Sequence, residues 1–293
     1  MNETIAELMT GGVVVTDGAW GTQLQQRGLP IGEAPEPWNL AHPERVAEVA
    51  RAYVAAGSRV ILTNTFGANR IVLARHGLAE RAADLCRAGV AISREAAAGR
   101  ARIFASMGPT CKLVGMDEGE TDEVAEAFVE QARAFADAGA DGVVVETMSD
   151  LEEARLAVRA AVDVGLPVVA CMVFDTGREK DRTMMGGTPE QAVEALTAAG
   201  AAAVGANCGV GPRAMLPVCR RMKAVTDLPL WFKPNAGMPE LENGQAVYRM
   251  SPREFAIEVV ELARAGAAFV GGCCGTTPEF IGALALELGK EYA

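Results

Sequence analysis

Short apolar runs alternate with longer stretches of helical periodicity from one end of the chain to the other. The runs cover 13–17, 59–66, 102–109, 142–148, 167–174, 202–208, 229–235 and 268–274, and a helical stretch follows each. The joins repeat as well. A helix rich in Ala and Glu ends at Gly57, Gly99, Gly139, Gly165, Gly200 or Gly266, and a β-branched run follows within a few residues. Glycine is the residue that takes the left-handed C-cap most cheaply. Strands apolar on both faces and separated by helices are the mark of a parallel sheet. Eight such units in 293 residues predict one α/β domain over 1–293, a closed (β/α)8 TIM barrel. The competing open, doubly wound sheet lacks support, because no Gly-x-Gly-x-x-Gly follows the first strand.

Connections differ at the two ends of the predicted barrel. Helix-to-strand joins are mostly a few residues, whereas the strand-to-helix loops 18–42, 175–188 and 236–250 are long. In a barrel that face carries the chemistry. Composition narrows the classes further. A formal net charge of -11 leaves no basic footprint for nucleic acid or an anionic membrane surface. Residues 1–10 lack a basic and an apolar export region, and no apolar run approaches the roughly 18 residues that span a bilayer. The expectation is a cytoplasmic protein. Seven cysteines, an odd number, fit reduced thiols with metal or catalytic roles. With only His42 and His76 present, a histidine-rich metal site is excluded.

The last residues of each predicted strand place Asp17, Thr63, Glu146, Cys208, Lys233, Asn235, Cys273 and Cys274 on one rim. Three cysteines without histidine suit an all-thiolate zinc site with an open fourth position. The competing reading is a buried Cys208 and a redox-labile Cys273–Cys274 dithiol. Glycines on both sides of the pair, Gly271, Gly272 and Gly275, favour the ligand cluster, because successive strand residues point to opposite faces unless the strand becomes irregular. Asp17 opens a loop in which the Gly18 and Ala19 amides could cradle an anion. Asp17, Glu146, those amides and a thiophilic metal together suit a zwitterionic amino-acid thiol. Taken singly, each carboxylate reads better as a hydrogen-bond partner for loop backbone, and only their convergence with the cysteines favours the binding role. Trp38 is either a loop anchor or a pocket wall, and Met184–Met185 reads as loop packing.

Five motifs resemble those of the homocysteine S-methyltransferase family: DGAWGTQL (17–24), TNTFGAN (63–69), the strand ending in Glu146, GANCGVGP (205–212) and GGCCGTTP (271–278). They keep the family's order, and the separated cysteine with the vicinal pair is the most specific element. The resemblance implies a zinc-bearing barrel that methylates homocysteine to methionine. It implies Cys208, Cys273 and Cys274 as Zn2+ ligands, with Asp17, Thr63, Glu146 and the Gly18 and Ala19 amides holding homocysteine. Asn235 matches a position that approaches the metal in some relatives when substrate is absent.

For the methyl donor the resemblance divides. Trp38 matches one ring of the aromatic cage that betaine-using relatives build, but Gly67 and Thr147 stand where those relatives carry tyrosines. The TNTF segment resembles the homocysteine module of cobalamin-dependent methionine synthase. The expected donor is a methylated corrinoid, free or on a separate corrinoid protein, ahead of a small onium compound such as betaine or S-methylmethionine. Two readings of other classes are a Schiff-base aldolase using Lys233 and a non-catalytic zinc- or thiol-binding module.

Overall fold

The computed structural model describes residues 2–112, 114, 118–242 and 245–291. Its parallel strands are β1 (Val14–Val15), β2 (Val60–Ile61), β3 (Arg102–Met107), β4 (Gly142–Met148), β5 (Val168–Met172), β6 (Ala203–Asn207) and β7 (Leu230–Lys233). A hairpin of β8 (Glu240–Glu242) and β9 (Gln245–Val247) follows, and β10 (Ala267–Val270) completes the set. The eight parallel strands pair in the order β1-β10-β7-β6-β5-β4-β3-β2. The two ends of that order meet through a parallel bridge between Thr16 and Val60 and a 2.8 Å bond from Arg59 N–H to Val15 O. The sheet therefore closes as the expected (β/α)8 barrel, with helices between successive strands.

Alternation along the strands sorts the apolar side chains into two cores. Val143 and Val145 join the cluster packed against the helices, while Val144 joins Val14, Val60, Phe104, Val169 and Phe269 inside the barrel. Trp231 fills the interior between Phe104 and Phe269, with ring centroids 6.2 and 5.1 Å away. Helix Glu3–Met9, not foreseen from the sequence, sends buried Ile5 and Leu8 into that interior cluster and plugs the barrel floor. All six predicted cap glycines have positive φ, from 73° at Gly99 to 108° at Gly266.

Two predicted strands shorten for a local reason. The 59–66 run keeps regular pairing only through Ile61. Beyond it, Leu62 N–H donates to the Asp17 carboxylate at 2.7 Å, and the Thr63 hydroxyl accepts from Ser106 N–H at 3.1 Å. Side chains thus take over bonds that a ladder would have made. The 268–274 run leaves strand geometry at Gly271, as its glycines suggest. In the long 236–250 loop, residues 243 and 244 lie outside the described residues. No described helix is long and apolar enough to cross a membrane.

Candidate metal centre and its cavity

Cys208 follows β6 in a left-handed conformation, φ 61°, anchored by its N–H to Lys233 O at 3.0 Å. Cys273 and Cys274 follow β10, where a Cβ on Gly271 would collide with the Thr16 hydroxyl and one on Gly272 with the Thr276 side chain. Those glycines let the chain pass close to the end of β1, and the irregular backbone beyond Val270 turns both cysteines toward Cys208. The Cys208 and Cys274 sulfurs are 3.8 Å apart, and all three lie within 4.8 Å of one another. A tetrahedral zinc with Zn–S bonds of about 2.3 Å would space its thiolates about 3.8 Å apart. The redox-dithiol alternative gives no reason for Cys208 to be there.

The electrostatics of the trio point the same way. S–H donation from Cys273 and Cys274 holds the Cys208 thiol well below its usual range. The same contacts push Cys273 and Cys274 upward. Beside Cys208, the Asn235 Oδ1 atom is buried and has no hydrogen-bond partner among the described residues. A buried carbonyl oxygen without a donor is costly. The three sulfurs form a cluster that could hold a metal ion, and the Asn235 side chain lies beside it.

The cysteines open on a cavity of about 460 Å³, lined also by Trp20, Phe66, Thr63, Glu146 and Lys233. Glu146 accepts from the Ser106 hydroxyl at 2.5 Å, and burial raises its pKa. Asn207, whose role the sequence did not reveal, exchanges two 2.8 Å bonds with Thr147 and leans toward Cys273 Sγ at 3.8 Å. Thr147 itself is held at φ 64°. Two larger hollows, about 680 and 630 Å³, lie on helical flanks and contain none of these groups.

Several expected contacts take a different form. Asp17 does not face the cavity with a free carboxylate. Its Oδ1 pairs with Lys233 Nζ at 2.5 Å, and its Oδ2 accepts from Trp20 Nε1 and Leu62 N–H, each at 2.7 Å. Burial alone would lower the Lys233 pKa, but Asp17 and Glu146 outweigh it and hold the ammonium above its ordinary value. A protonated amine has no lone pair for a carbonyl, so the Schiff-base reading finds no support here. Ala19 N–H donates to the Thr276 hydroxyl at 3.1 Å, leaving Gly18 as the remaining amide of the expected anion cradle. The Thr63 hydroxyl is shared with Thr65 at 2.6 Å.

Trp38 lies outside the cavity lining, buried on the short helix Trp38–Ala41 against His42, with the Arg45 guanidinium over its ring. It is a loop anchor. The indole lining the cavity belongs to Trp20, three residues after Asp17 in the same motif. Met184 and Met185, expected as loop packing, are 72 % and 57 % exposed, and Met185 lines a shallow hollow beside Leu151 and Thr183. Gly67 N–H donates to buried Glu36 at 2.7 Å, which fastens the first loop to the second.

Residues 14–288 match the family model described as homocysteine S-methyltransferase. The chain is 32% identical to the methionine synthase of Mycobacterium leprae over 98% of its own length and 25% of that protein. It is 33% identical to the Mycobacterium tuberculosis methionine synthase, again covering 94% of this chain and 25% of the relative. The chain thus spans about a quarter of the length of these curated relatives. Among solved structures, the metallated form of the Escherichia coli homocysteine methyltransferase MmuM superposes with a TM-score of 0.78 at 24% identity, covering 97% of this chain and 99% of that one. Its apo form gives 0.72 at 23% identity, with 98% and 100% covered. At that identity the likeness establishes the fold.

Proposed function

Because the chain belongs to the homocysteine S-methyltransferase family, we propose that it acts as one barrel domain over residues 1–293, transferring a methyl group to the thiol of homocysteine to give methionine. Cys208, Cys273 and Cys274 would hold zinc, and the Asn235 side chain beside Cys208 would offer a further oxygen donor. Bound there, the metal supplies the charge that strips the acceptor thiol of its proton and keeps the sulfur electron-rich. The observation that carries this reading is the convergence of three sulfurs on a cavity that also holds Glu146.

The remaining roles belong to the protein's own side chains. Glu146 takes the substrate ammonium, its orientation fixed by Ser106 and Asn207. Lys233 and the Gly18 amide face the carboxylate, and Thr63 lines the same wall. Asp17 acts through Lys233 and Trp20, holding both in place rather than touching substrate. The Ala19 amide joins the carboxylate site only if Thr276 releases it.

For the donor we favour a methylated corrinoid, free or on a partner protein. Ile31, Phe66, Met184, Met185 and Met238 are exposed on the segments after β1, β2, β5 and β7, and Leu241 is exposed on β8. Exposed apolar side chains on the strand-to-helix side of the barrel, with Phe66 lining the cavity itself, suit a large donor docking there. A small onium donor is the second reading, because the Trp20 and Phe66 rings lining the cavity could face a cation. Turnover of homocysteine with zinc present, run against methylcobalamin, betaine, S-methylmethionine, S-adenosylmethionine and methyltetrahydrofolate, tests both. Methylcobalamin should support methionine formation and betaine should not. Efficient turnover with betaine alone would reverse the donor assignment, and no turnover with any donor would favour a thiol-carrying module.

A further inference from the structure

A second cavity, about 300 Å³, opens at the N-terminal ends of the strands, on the face of the barrel opposite the cysteines. Four arginines line it. Arg59 stands at the entry to β2, Arg102 at the entry to β3, Arg94 in the last turn of helix Ala82–Ala97, and Arg100 in the turn that joins that helix to β3. One lining carboxylate, Asp141, faces them. Arg102 is neutralised locally, by Glu7 at 3.1 Å and Asp141 at 3.3 Å. Asp141 is further engaged by Ile103 N–H at 2.8 Å. Arg59, Arg94 and Arg100 have no carboxylate partner among the described residues.

This arrangement is unexpected in a chain with a net charge of -11. Acidic residues are abundant, and like charges gathered around one cavity repel each other. The local fold does not require them, since the turn is already closed by Gly99 at φ 73°. Two guanidinium groups also lie close against glycine backbone, at Gly11 and at the cap glycine Gly139. A Cβ added at Gly11 would lie 3.3 Å from Arg59 Nη1, and one at Gly139 would lie 3.4 Å from Arg94 Nη2. The floor is thus a concave surface with three uncompensated planar donors.

We propose that this cavity binds a phosphoryl group, as inorganic phosphate or as the phosphate chain of a nucleotide. Arginine forks match phosphate oxygens two at a time, and several of them fix a multiply charged anion better than they would chloride or a single carboxylate. The ligand would sit a full barrel length from the cysteines and take no part in methyl transfer. Through Arg59, Arg94 and Arg100 it would join the entry to β2 with the end of helix Ala82–Ala97 and the turn before β3. This site is independent of the methyltransferase reading.

The test is calorimetric titration of the full chain with inorganic phosphate, pyrophosphate and ATP at low, fixed ionic strength. The floor variant Arg59→Gln with Arg94→Gln is compared with a control of equal charge change, Arg178→Gln with Arg213→Gln, at exposed sites elsewhere. Saturable binding to one site is expected, weakened about tenfold or more in the floor variant and unchanged in the control. Without ligand the floor variant should melt cooperatively at or above the parent's temperature, since it relieves repulsion, which shows that it is folded. Phosphate binding as tightly as ATP assigns the site to the free ion, whereas tighter ATP binding assigns it to a nucleotide. No saturable binding of any of the three, or equal loss in both variants, would overturn the proposal.

Discussion

The ammonium of Lys233 lies 2.5 Å from a carboxylate oxygen of Asp17, and both side chains are sealed from solvent. These residues are 216 positions apart in sequence, and the pair joins β7 to the loop after β1, with Lys233 lining the same cavity as the three cysteines. Removing one partner of such a pair leaves a buried, uncompensated charge, which costs about 3–5 kcal/mol. Lys233→Met should therefore lower stability by that order in urea unfolding, and Asp17→Asn added to it should recover most of the loss. A single variant as stable as the parent would contradict the buried pairing.

The pH dependence of this pair has a fixed sign. The folded-state pKa of Lys233 is raised, so its stabilisation is complete below the unfolded lysine value of about 10.4 and is lost only as pH climbs through the higher folded value. Between about pH 7 and 9 the difference between parent and Lys233→Met should stay flat. A steady decline across that range would mean that another group controls the effect.

Glu146 behaves in the opposite way. Burial raises its pKa in the folded protein, so folding favours the protonated form and stability falls as pH rises from the unfolded value of about 4.3 through the folded one. Glu146→Gln should be more stable than the parent at neutral pH and indistinguishable below about pH 4. It should also weaken homocysteine binding by about tenfold to a hundredfold, because the ammonium loses a charged acceptor. Thermal melting across pH together with a binding titration checks both. A variant less stable at pH 7, with unchanged affinity, would remove Glu146 from the proposed role.

Asn235 supplies a prediction that depends on substrate. If its orphaned Oδ1 completes the donor set in the absence of homocysteine, Asn235→Ala should lose zinc to a chelator about tenfold faster without substrate. With saturating homocysteine the two proteins should release metal alike. Equal rates under both conditions would assign that oxygen to something other than the metal.

Much of this was readable from the chain alone. Gly57, Gly99, Gly139, Gly165, Gly200 and Gly266 marked the helix ends because the backbone there must adopt positive φ, a requirement that leaves a residue-type signal. The rim set of Glu146, Cys208, Cys273 and Cys274 followed from reading the last residues of each strand, since closure of a barrel brings those ends together. What failed was anything decided by side chains competing for the same backbone. The 59–66 run stops early because the Asp17 carboxylate and the Thr63 hydroxyl take the next amide bonds. The Lys233–Asp17 pair needs the β7 and β1 registers, which periodicity does not give. Trp38 and Trp20 are both loop aromatics close to the first strand, and no pattern distinguishes the ring that anchors from the ring that lines the cavity.

The central claim is that Cys208, Cys273 and Cys274 hold one divalent ion between them. Metal analysis of the purified protein beside Cys208→Ala and Cys273→Ala tests it most directly. The account predicts about one zinc per parent chain and almost none in either variant. Full retention of zinc by both variants, with their folds intact, would contradict it.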